Sequence, residues 1–168
     1  MFQINDYVFY GSGGICRIRD IQMAPLENMP ADRQYYVMQS IHDHNGMIYV
    51  PVDSDQVFLR RLLNRAEAEE LIGQIPSIDA IEESNAKQLR ARYADAMHTH
   101  QPVEWVRVIK TVYLRTAART ARNQRISETE RTLTDTAKRY LHAELALALE
   151  IPEAEMEAYL SARLEKMA

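Results

Sequence analysis

Two pairs of histidines have the spacing that is most suggestive of metal chemistry. Residues 42–44 read His-Asp-His, and residues 98–100 read His-Thr-His. On a β-strand, side chains two residues apart point the same way, so such a pair can share a metal ion. The first pair runs directly into the turn sequence Asn45-Gly46, and the second lies just before Pro102 at a predicted helix end. A polar hairpin tip and a helix terminus are therefore the favoured interpretations, and a metal site is the alternative.

No arrangement of residues typical of catalysis is visible elsewhere in the chain. The single cysteine, Cys16, alternates with charged residues as in a half-buried strand, which indicates a small core residue rather than a nucleophile. The glycine-rich segment at residues 11–14 precedes a strand and does not match the spacing of a dinucleotide-binding or phosphate-binding loop. We therefore predict that the protein is not an enzyme and carries no cofactor.

Basic residues are concentrated in one segment of an otherwise acidic chain. Residues 85–125, here called the basic block, hold nine basic and two acidic side chains, a net charge of +7 within a chain of net charge −4. Arg115, Arg119 and Arg122 follow the spacing i, i+4, i+7, which predicts three guanidinium groups on one helical face. Forked guanidinium donors match phosphate oxygens, and few acids interrupt the block. Phosphate binding is thus favoured over a merely solvated helix face.

Two further arginines extend the phosphate-binding interpretation, and the only tryptophan has to be considered beside them. Arg125 and Arg131 flank a predicted helix start, whose free N–H groups also attract a phosphate. Trp105 opens an apolar helical segment. A wedge between base pairs is one possible role for it, but packing of the helix end on the core is favoured.

Composition indicates an ordinary globular protein. The chain has 168 residues, of which 46% are hydrophobic and 26% charged, so disorder and fibrous folds are disfavoured. No apolar run approaches the length needed to cross a bilayer, and the N-terminus lacks the features of a signal peptide. One cysteine cannot form an internal disulfide, so we expect a cytoplasmic location.

The first 63 residues show the alternation of short β-strands. Strands are predicted at residues 7–10, around residues 16–19, and at residues 33–40, 47–50 and 56–59. Asn45-Gly46 is a strong hairpin signal because both residues tolerate positive φ. Five short antiparallel strands in about 60 residues predict a small curled sheet or barrel.

From residue 64 onward the pattern is helical. Asn64 with Glu67 fits a helix start, and Gly73 fits its stop. Ser127 and Glu130 have the spacing of a reciprocal capping box. A linker-like stretch is predicted at residues 75–84. Further helices are predicted at residues 85–99, from Pro102 onward and at residues 153–166. The apolar spacing also predicts a buried stripe of Leu133, Ala137, Leu141 and Leu145. The predicted fold class is α+β.

Motifs in both halves of the chain occur in an order known from one family. Residues 2–10 follow the pattern Phe-x-Ile-x-Asp-x-Val-x-Tyr, residues 35–38 read Tyr-Tyr-Val-Met, and residues 47–51 read Met-Ile-Tyr-Val-Pro. In the second half, residues 126–131 read Ile-Ser-x-x-Glu-Arg, and residues 144–146 read Glu-Leu-Ala. Together these motifs resemble the CarD/CdnL-like bacterial transcription regulators over nearly the whole chain.

The resemblance implies two binding domains. Residues 1–63 would form a Tudor-like antiparallel β-barrel that binds the RNA polymerase β subunit, as the same module does in transcription-repair coupling factors. Binding of this kind uses pairing of an edge strand, which relies on main-chain hydrogen bonds. The pairing strand aligns with Met47, Ile48, Tyr49, Val50 and Pro51. Family members often carry an arginine where this chain has Tyr49.

Residues 64–168 would form an all-α helical domain that binds promoter DNA. In the family this domain sits at the upstream edge of the melted region and inserts a tryptophan as a wedge. The wedge position aligns with Ala86, so this chain departs from the family there. Three basic residues near this position, Lys87, Arg90 and Arg92, are expected to hold phosphates.

The leading hypothesis is a transcription regulator that bridges RNA polymerase to promoter DNA and modulates open-complex stability. DNA recognition would be by backbone contact and shape rather than by sequence. The predicted DNA contacts are Lys87, Arg90, Arg92, Arg115, Arg119, Arg122, Arg125 and Arg131. We expect a monomer that contacts no membrane and associates with the nucleoid through polymerase. The alternatives are a protein-binding adaptor without DNA wedging and a histidine-based metal-binding protein.

Overall fold

Five β-strands precede five α-helices along the chain. The computed structural model describes residues 1–168. Contacts divide the chain into two compact units, Met1–Leu62 and Leu63–Ala168. The strands of the first unit are β1 (Tyr7–Tyr10), β2 (Gly14–Met23), β3 (Gln34–Ser40), β4 (Ile48–Pro51) and β5 (Leu59–Arg61).

The first unit is a single antiparallel sheet with the strand order β4-β3-β2-β1-β5. Alternate residues of neighbouring strands face one core, because successive side chains of a strand point to opposite sides. A register shift between Ile18 and Asp20 bends β2 where it pairs with β3. The buried core cluster consists of Val8, Cys16, Ile18, Tyr36, Met38 and Val50. The prediction that Cys16 is a core residue is confirmed.

Two details of the sheet differ from the sequence-based prediction. The fifth strand is Leu59–Arg61 rather than residues 56–59, because these three residues pair with β1. The loop between β3 and β4 covers residues 41–47 and is not a two-residue turn at Asn45-Gly46. Ser40 Oγ accepts hydrogen bonds from two backbone N–H groups of this loop, so side-chain bonding shapes it and neither turn residue adopts positive φ.

The second unit is entirely helical. Its α-helices are α1 (Arg65–Gln74), α2 (Ala86–His98), α3 (Pro102–Thr120), α4 (Glu128–Leu149) and α5 (Met156–Met167), and its short 3₁₀ helices are Ile75–Ser77 and Glu153–Glu155. No helix combines the length and the apolar character required to cross a membrane.

Side-chain caps define where the helices begin. The predicted capping box of Asn64 and Glu67 is confirmed, with both reciprocal bonds at 2.9 Å. Asn85 Oδ1 accepts from the second and third N–H groups of α2. The stop predicted at Gly73 is wrong, because α1 continues to Gln74 and runs on into the 3₁₀ helix.

Helix α4 carries the centre of the helical core. The predicted stripe is confirmed, since Ala137, Leu141 and Leu145 are buried and Leu133 is half-buried. Trp105 of α3 is completely buried against the Tyr140 ring, with the ring centroids 5.5 Å apart. The tryptophan therefore belongs to the core, as the packing interpretation predicted.

Candidate functional sites

Strand β4 lies at the margin of the sheet. It pairs with β3 on one side, and the strand order places no neighbouring strand on its other side. Ile48 and Val50 pack into the core of the first unit, which holds the strand in place. An edge strand held this way presents a regular row of main-chain groups to a partner. The structure thus places Ile48–Pro51 at a sheet margin, whereas Met47, the fifth predicted pairing residue, lies in the loop before β4.

The register shows which groups of β4 face outward. Val52 N donates to Gln34 O at 2.9 Å, and hydrogen-bonded pairs alternate along antiparallel strands. Val50 and Ile48 therefore direct their main-chain groups toward β3. Tyr49 N–H and C=O point to the open side, and Pro51 adds a carbonyl but has no N–H to donate.

The predicted cationic residues fall into two sets in the structure. Lys87, Arg90, Arg122 and Arg125 are exposed and make no ion pair or hydrogen bond through their side chains. The others bond within the helical unit. Arg92 donates to Glu82 O at 3.0 Å, Arg119 donates to Arg125 O at 3.1 Å, and Arg131 lies 3.5 Å from the Glu128 carboxylate.

The prediction of three guanidinium groups on one face of α3 is wrong. Arg115 Nε donates to Glu130 Oε1 at 2.9 Å, and the Arg115 side chain is only 30% exposed. Arg122 lies beyond Thr120, the last residue of α3. One carboxylate from the next helix, Glu130, thus neutralises part of the basic block, which spacing within one helix did not predict.

The same ion pair alters the predicted cap of α4. Ser127 Oγ accepts from Glu130 N at 3.1 Å, as predicted. The Glu130 carboxylate does not return to the Ser127 backbone, because it is paired with Arg115 instead. Only half of the predicted capping box forms.

The starts of α2 and α4 and the end of α3 meet around a cleft of about 230 Å³. We call it the three-helix cleft. Its cationic residues are Arg90 from α2 and Arg115 and Arg119 from α3. The first turn of α4 supplies N–H groups and the positive end of the helix dipole. The remaining lining residues are Ala86, Leu89, Tyr93, Ser127, Thr129 and Glu130.

Two polar atoms of this cleft are buried without a hydrogen-bond partner. They are the Tyr93 hydroxyl and Glu130 Oε2, on side chains of residues that are 4% and 7% exposed. Burial, followed by the nearby Glu130 charge, raises the pKa of Tyr93 to about 12. The hydroxyl therefore stays protonated at neutral pH.

The aligned wedge position opens onto the same cleft. Ala86 is the first residue of α2 and is exposed, with no side chain beyond Cβ. Trp105 does not replace the missing tryptophan, since it is completely buried one helix later.

The histidine pairs are not part of a metal centre with three or more ligands. No group of three or more His, Cys, Asp or Glu side chains lies close enough together to hold a metal ion. His42 and His44 lie in the exposed loop between β3 and β4, as the hairpin-tip interpretation predicted.

Two charged residues have roles that the sequence did not reveal. Lys110 Nζ donates to the carbonyls of Ile75 and Ile78 at 2.6 Å each and so closes the segment after α1. Glu144 is completely buried and accepts from Leu63 N at 2.9 Å. A carboxylate at an otherwise apolar helical position was the available signal for Glu144, whereas the partners of Lys110 are 32 to 35 residues away.

The chain thus combines a β unit that has an open edge strand with a helical unit that has a cationic cleft. The family model described as CarD-like/TRCF RID domain matches residues 2–63. The family model described as CarD, C-terminal domain, matches residues 74–161. The chain belongs to the CarD-like family. No curated protein matches the chain.

This membership establishes the general function. The CarD-like domains identify a bacterial transcription regulator that interacts with RNA polymerase. The predicted α+β fold with a Tudor-like first module is confirmed. CarD-like families are families of non-enzymatic regulators.

Proposed function

We propose that the protein bridges the β subunit of RNA polymerase to promoter DNA and thereby modulates the stability of the open complex. The open side of β4 pairs with the β subunit, and the three-helix cleft holds DNA through its phosphates. The chain acts as a monomer. Only a difference in affinity between closed and open complexes shifts that equilibrium, so the regulator binds one of the two more tightly.

One observation carries the DNA part of this proposal. Arg90 and Arg119 come from two different helices and line one cleft together with the positive N-terminus of α4. Exposed Lys87, Arg122 and Arg125 lie close in sequence to these elements and carry no competing ion pair. Since no base-reading element accompanies them, the contact is with the backbone and is not sequence-specific.

The polymerase part rests on the open side of β4. Tyr49 supplies an outward N–H and C=O, and its neighbours in the core keep the strand extended. A partner strand added at this edge gains affinity from main-chain bonds, so side-chain identity at position 49 matters less than the amide.

Charge reversal tests the DNA contact. We expect the double variant R119E/R122E to lower the affinity for a duplex promoter fragment at least tenfold and to reduce the slope of log K against log salt by about two. The matched control is R139E/K166E, which reverses two exposed cations outside the cleft. Equal losses in both variants would show that the cleft is not the DNA contact. No duplex binding by the parent chain would leave a polymerase-binding adaptor, the second candidate favoured by Ala86.

A proline substitution tests the polymerase contact. Tyr49→Pro removes the outward N–H while leaving the bonds of Ile48 and Val50 to β3, and we expect it to lower affinity for the isolated β lobe at least tenfold. Tyr49→Ala keeps the amide and should bind almost as well as the parent chain. Circular dichroism serves as the control that both variants retain the sheet. Equal binding by the proline and alanine variants would contradict pairing at β4.

The effect on the open complex is measured separately. We expect the parent chain to change the lifetime of promoter complexes with polymerase. With R119E/R122E we expect the same lifetime as with polymerase alone. An unchanged lifetime with the parent chain would rule out open-complex modulation.

A further inference from the structure

Helices α3 and α5 both pack against α4 and leave an apolar cavity between them. We call this cavity the α3–α5 groove, and its volume is about 300 Å³. Six aliphatic side chains form its wall, those of Ile75, Val106, Ile109, Leu141, Leu160 and Leu164. Tyr113 also lines the groove and is 69% exposed, so the groove is open to solvent. Cavities lined mainly by apolar side chains are where proteins bind the apolar parts of small ligands.

Three basic side chains also line the groove, and two of them lie on the same face of α4. Lys138 and His142 are four residues apart, so their side chains are neighbours on one side of the helix. The third, Lys110, already donates from Nζ to three backbone carbonyls and offers the groove only its apolar stem. Lys138 and His142 are therefore the two basic groups that can meet a ligand.

Both of these groups are accessible. His142 is half-buried and makes no hydrogen bond, and its ring nitrogens are not among the completely buried unpaired atoms. Burial lowers the pKa of His142, so the ring is neutral at pH 7.5 and offers one N–H donor. Lys138 Nζ lies 3.8 Å from Glu157 Oε1, and these side chains are 41% and 74% exposed, so their ion pair is weak and can be replaced.

The charge of the groove itself is positive. The carboxylates of Glu157 and Glu153 are close enough to act on His142, but both residues are exposed and neither lines the groove. The only charged side chains in the lining are the two lysines. The lining therefore favours a ligand whose head is negative over one whose head is positive.

We propose that the α3–α5 groove binds a medium-chain fatty acid, with its carboxylate held by Lys138 and His142 and its alkyl chain along the aliphatic wall. An ionised carboxylate only accepts hydrogen bonds, which matches an ammonium group beside a neutral ring N–H. A volume of about 300 Å³ is at the lower end for small-molecule pockets, which favours a chain of medium length. The groove shares no lining residue with the three-helix cleft, so the site does not depend on the proposed function.

Calorimetric titration of the full chain with decanoate, below the concentration at which micelles form, tests the proposal. We expect saturable binding of one decanoate per chain. Octanoate should bind about tenfold more weakly, since each buried methylene contributes up to about fourfold in affinity. Decyltrimethylammonium has an alkyl chain of the same length and a positive head, and we expect it to bind at least tenfold more weakly than decanoate. No saturable decanoate binding, or equal affinity for the two heads, would overturn the proposal.

Two substitutions at the head group should change the affinity in opposite directions. Lys138→Met keeps the apolar stem, removes the charge and should weaken decanoate binding about tenfold. Glu157→Gln removes the carboxylate that competes for Lys138 and should strengthen binding about twofold. The matched control is Lys87→Met, which changes an exposed lysine of α2 outside the groove and should bind as the parent chain does. Unchanged affinity in Lys138→Met would contradict the placement of the carboxylate.

Filling the groove tests the position of the alkyl chain. Leu164 is half-buried in the wall, so Leu164→Trp should occupy part of the cavity and weaken decanoate binding at least tenfold. Leu114→Trp adds the same ring at an exposed position of α3 outside the lining and should have no effect. Binding of several decanoates per chain that neither Lys138→Met nor Leu164→Trp alters would indicate nonspecific adsorption and would overturn the proposal.

The variant R119E/R122E separates this site from the DNA contact. We expect it to bind decanoate as tightly as the parent chain does, because neither arginine lines the groove. Saturable decanoate binding by a parent chain that does not bind duplex DNA would remove the proposed DNA contact and leave the fatty-acid site standing. Duplex binding without decanoate binding would overturn only the fatty-acid site.

Discussion

Arg115 Nε lies 2.9 Å from Glu130 Oε1 and ties α3 to the first turn of α4. The two residues are 15 positions apart, and the pair is mostly buried, with side-chain exposures of 30% and 10%. The contact removes one cation from the basic block and leaves Glu130 Oε2 buried without a hydrogen-bond partner. It therefore determines both the charge and the polarity of the candidate nucleic-acid site.

Breaking this pair should destabilise the helical unit. We expect Arg115→Ala to lower the free energy of unfolding by about 1–3 kcal/mol, because Glu130 is then left buried without its charged partner. Trp105 is the only tryptophan and is buried in this unit, so its fluorescence during urea denaturation reports the change. Arg131→Ala removes an exposed ion pair and should lower the free energy of unfolding by no more than about 0.5 kcal/mol. A similar decrease in both variants would contradict the prediction.

Glu144 should be among the most sensitive charged positions in the chain. It is completely buried and accepts from Leu63 N just before α1. We expect Glu144→Ala to lower the free energy of unfolding by about 2–4 kcal/mol, because the N–H group loses its acceptor and a cavity is created. Glu150→Ala, at an exposed position one residue beyond α4, serves as the control. A smaller effect at Glu144 than at Glu150 would show that the buried bond does not stabilise the fold.

Lys110 should control the local stability of the segment after α1. Its ammonium group donates to three carbonyls, those of Ile75, Pro76 and Ile78. We expect Lys110→Met, which keeps the apolar stem, to increase amide hydrogen exchange around residues 75–81 and to cost about 1–3 kcal/mol. Lys166→Met changes an exposed lysine and should leave exchange in that segment unchanged. Unaltered exchange in the Lys110 variant would contradict the role assigned to its ammonium group.

His142 should make the helical unit sensitive to acid. Burial lowers the pKa of His142 from its ordinary value of 6.5, with Glu157 and Glu153 opposing this shift and Lys138 adding to it. Because the unfolded chain binds the proton more readily, stability is fully present above pH 6.5 and falls as the pH drops toward the lower folded value. We expect His142→Gln to reduce the difference in unfolding free energy between pH 7.5 and pH 5.

The exposed His98 provides the control for this measurement. His98→Gln should leave the pH dependence of unfolding as it is in the parent chain. An identical pH dependence in the parent chain and in the His142 variant would show that His142 does not couple folding to proton binding.

Local rules in the sequence predicted most of the secondary structure. Asn64, Asn85 and Ser127 each cap a helix, because a side-chain oxygen next to free N–H groups acts over two or three residues. One exception has a local cause, since bonds to Ser40 shape the loop at residues 41–47. The other does not, because β5 is defined by its pairing with β1, which is distant in the sequence. The open side of β4 was predicted from the family resemblance together with an apolar strand pattern.

The sequence by itself determined the two-part organisation, the helix starts and the position of the basic block, since composition and periodicity are properties of short segments. Tertiary structure alone decided which of those cations are free. Arg115 is paired across 15 residues and Lys110 across more than 30, and no spacing rule within one helix reaches that far. The packing of α2, α3 and α4 likewise brought Tyr93 and Glu130 into one cleft, because burial depends on which helix faces meet rather than on either residue's neighbours in the chain.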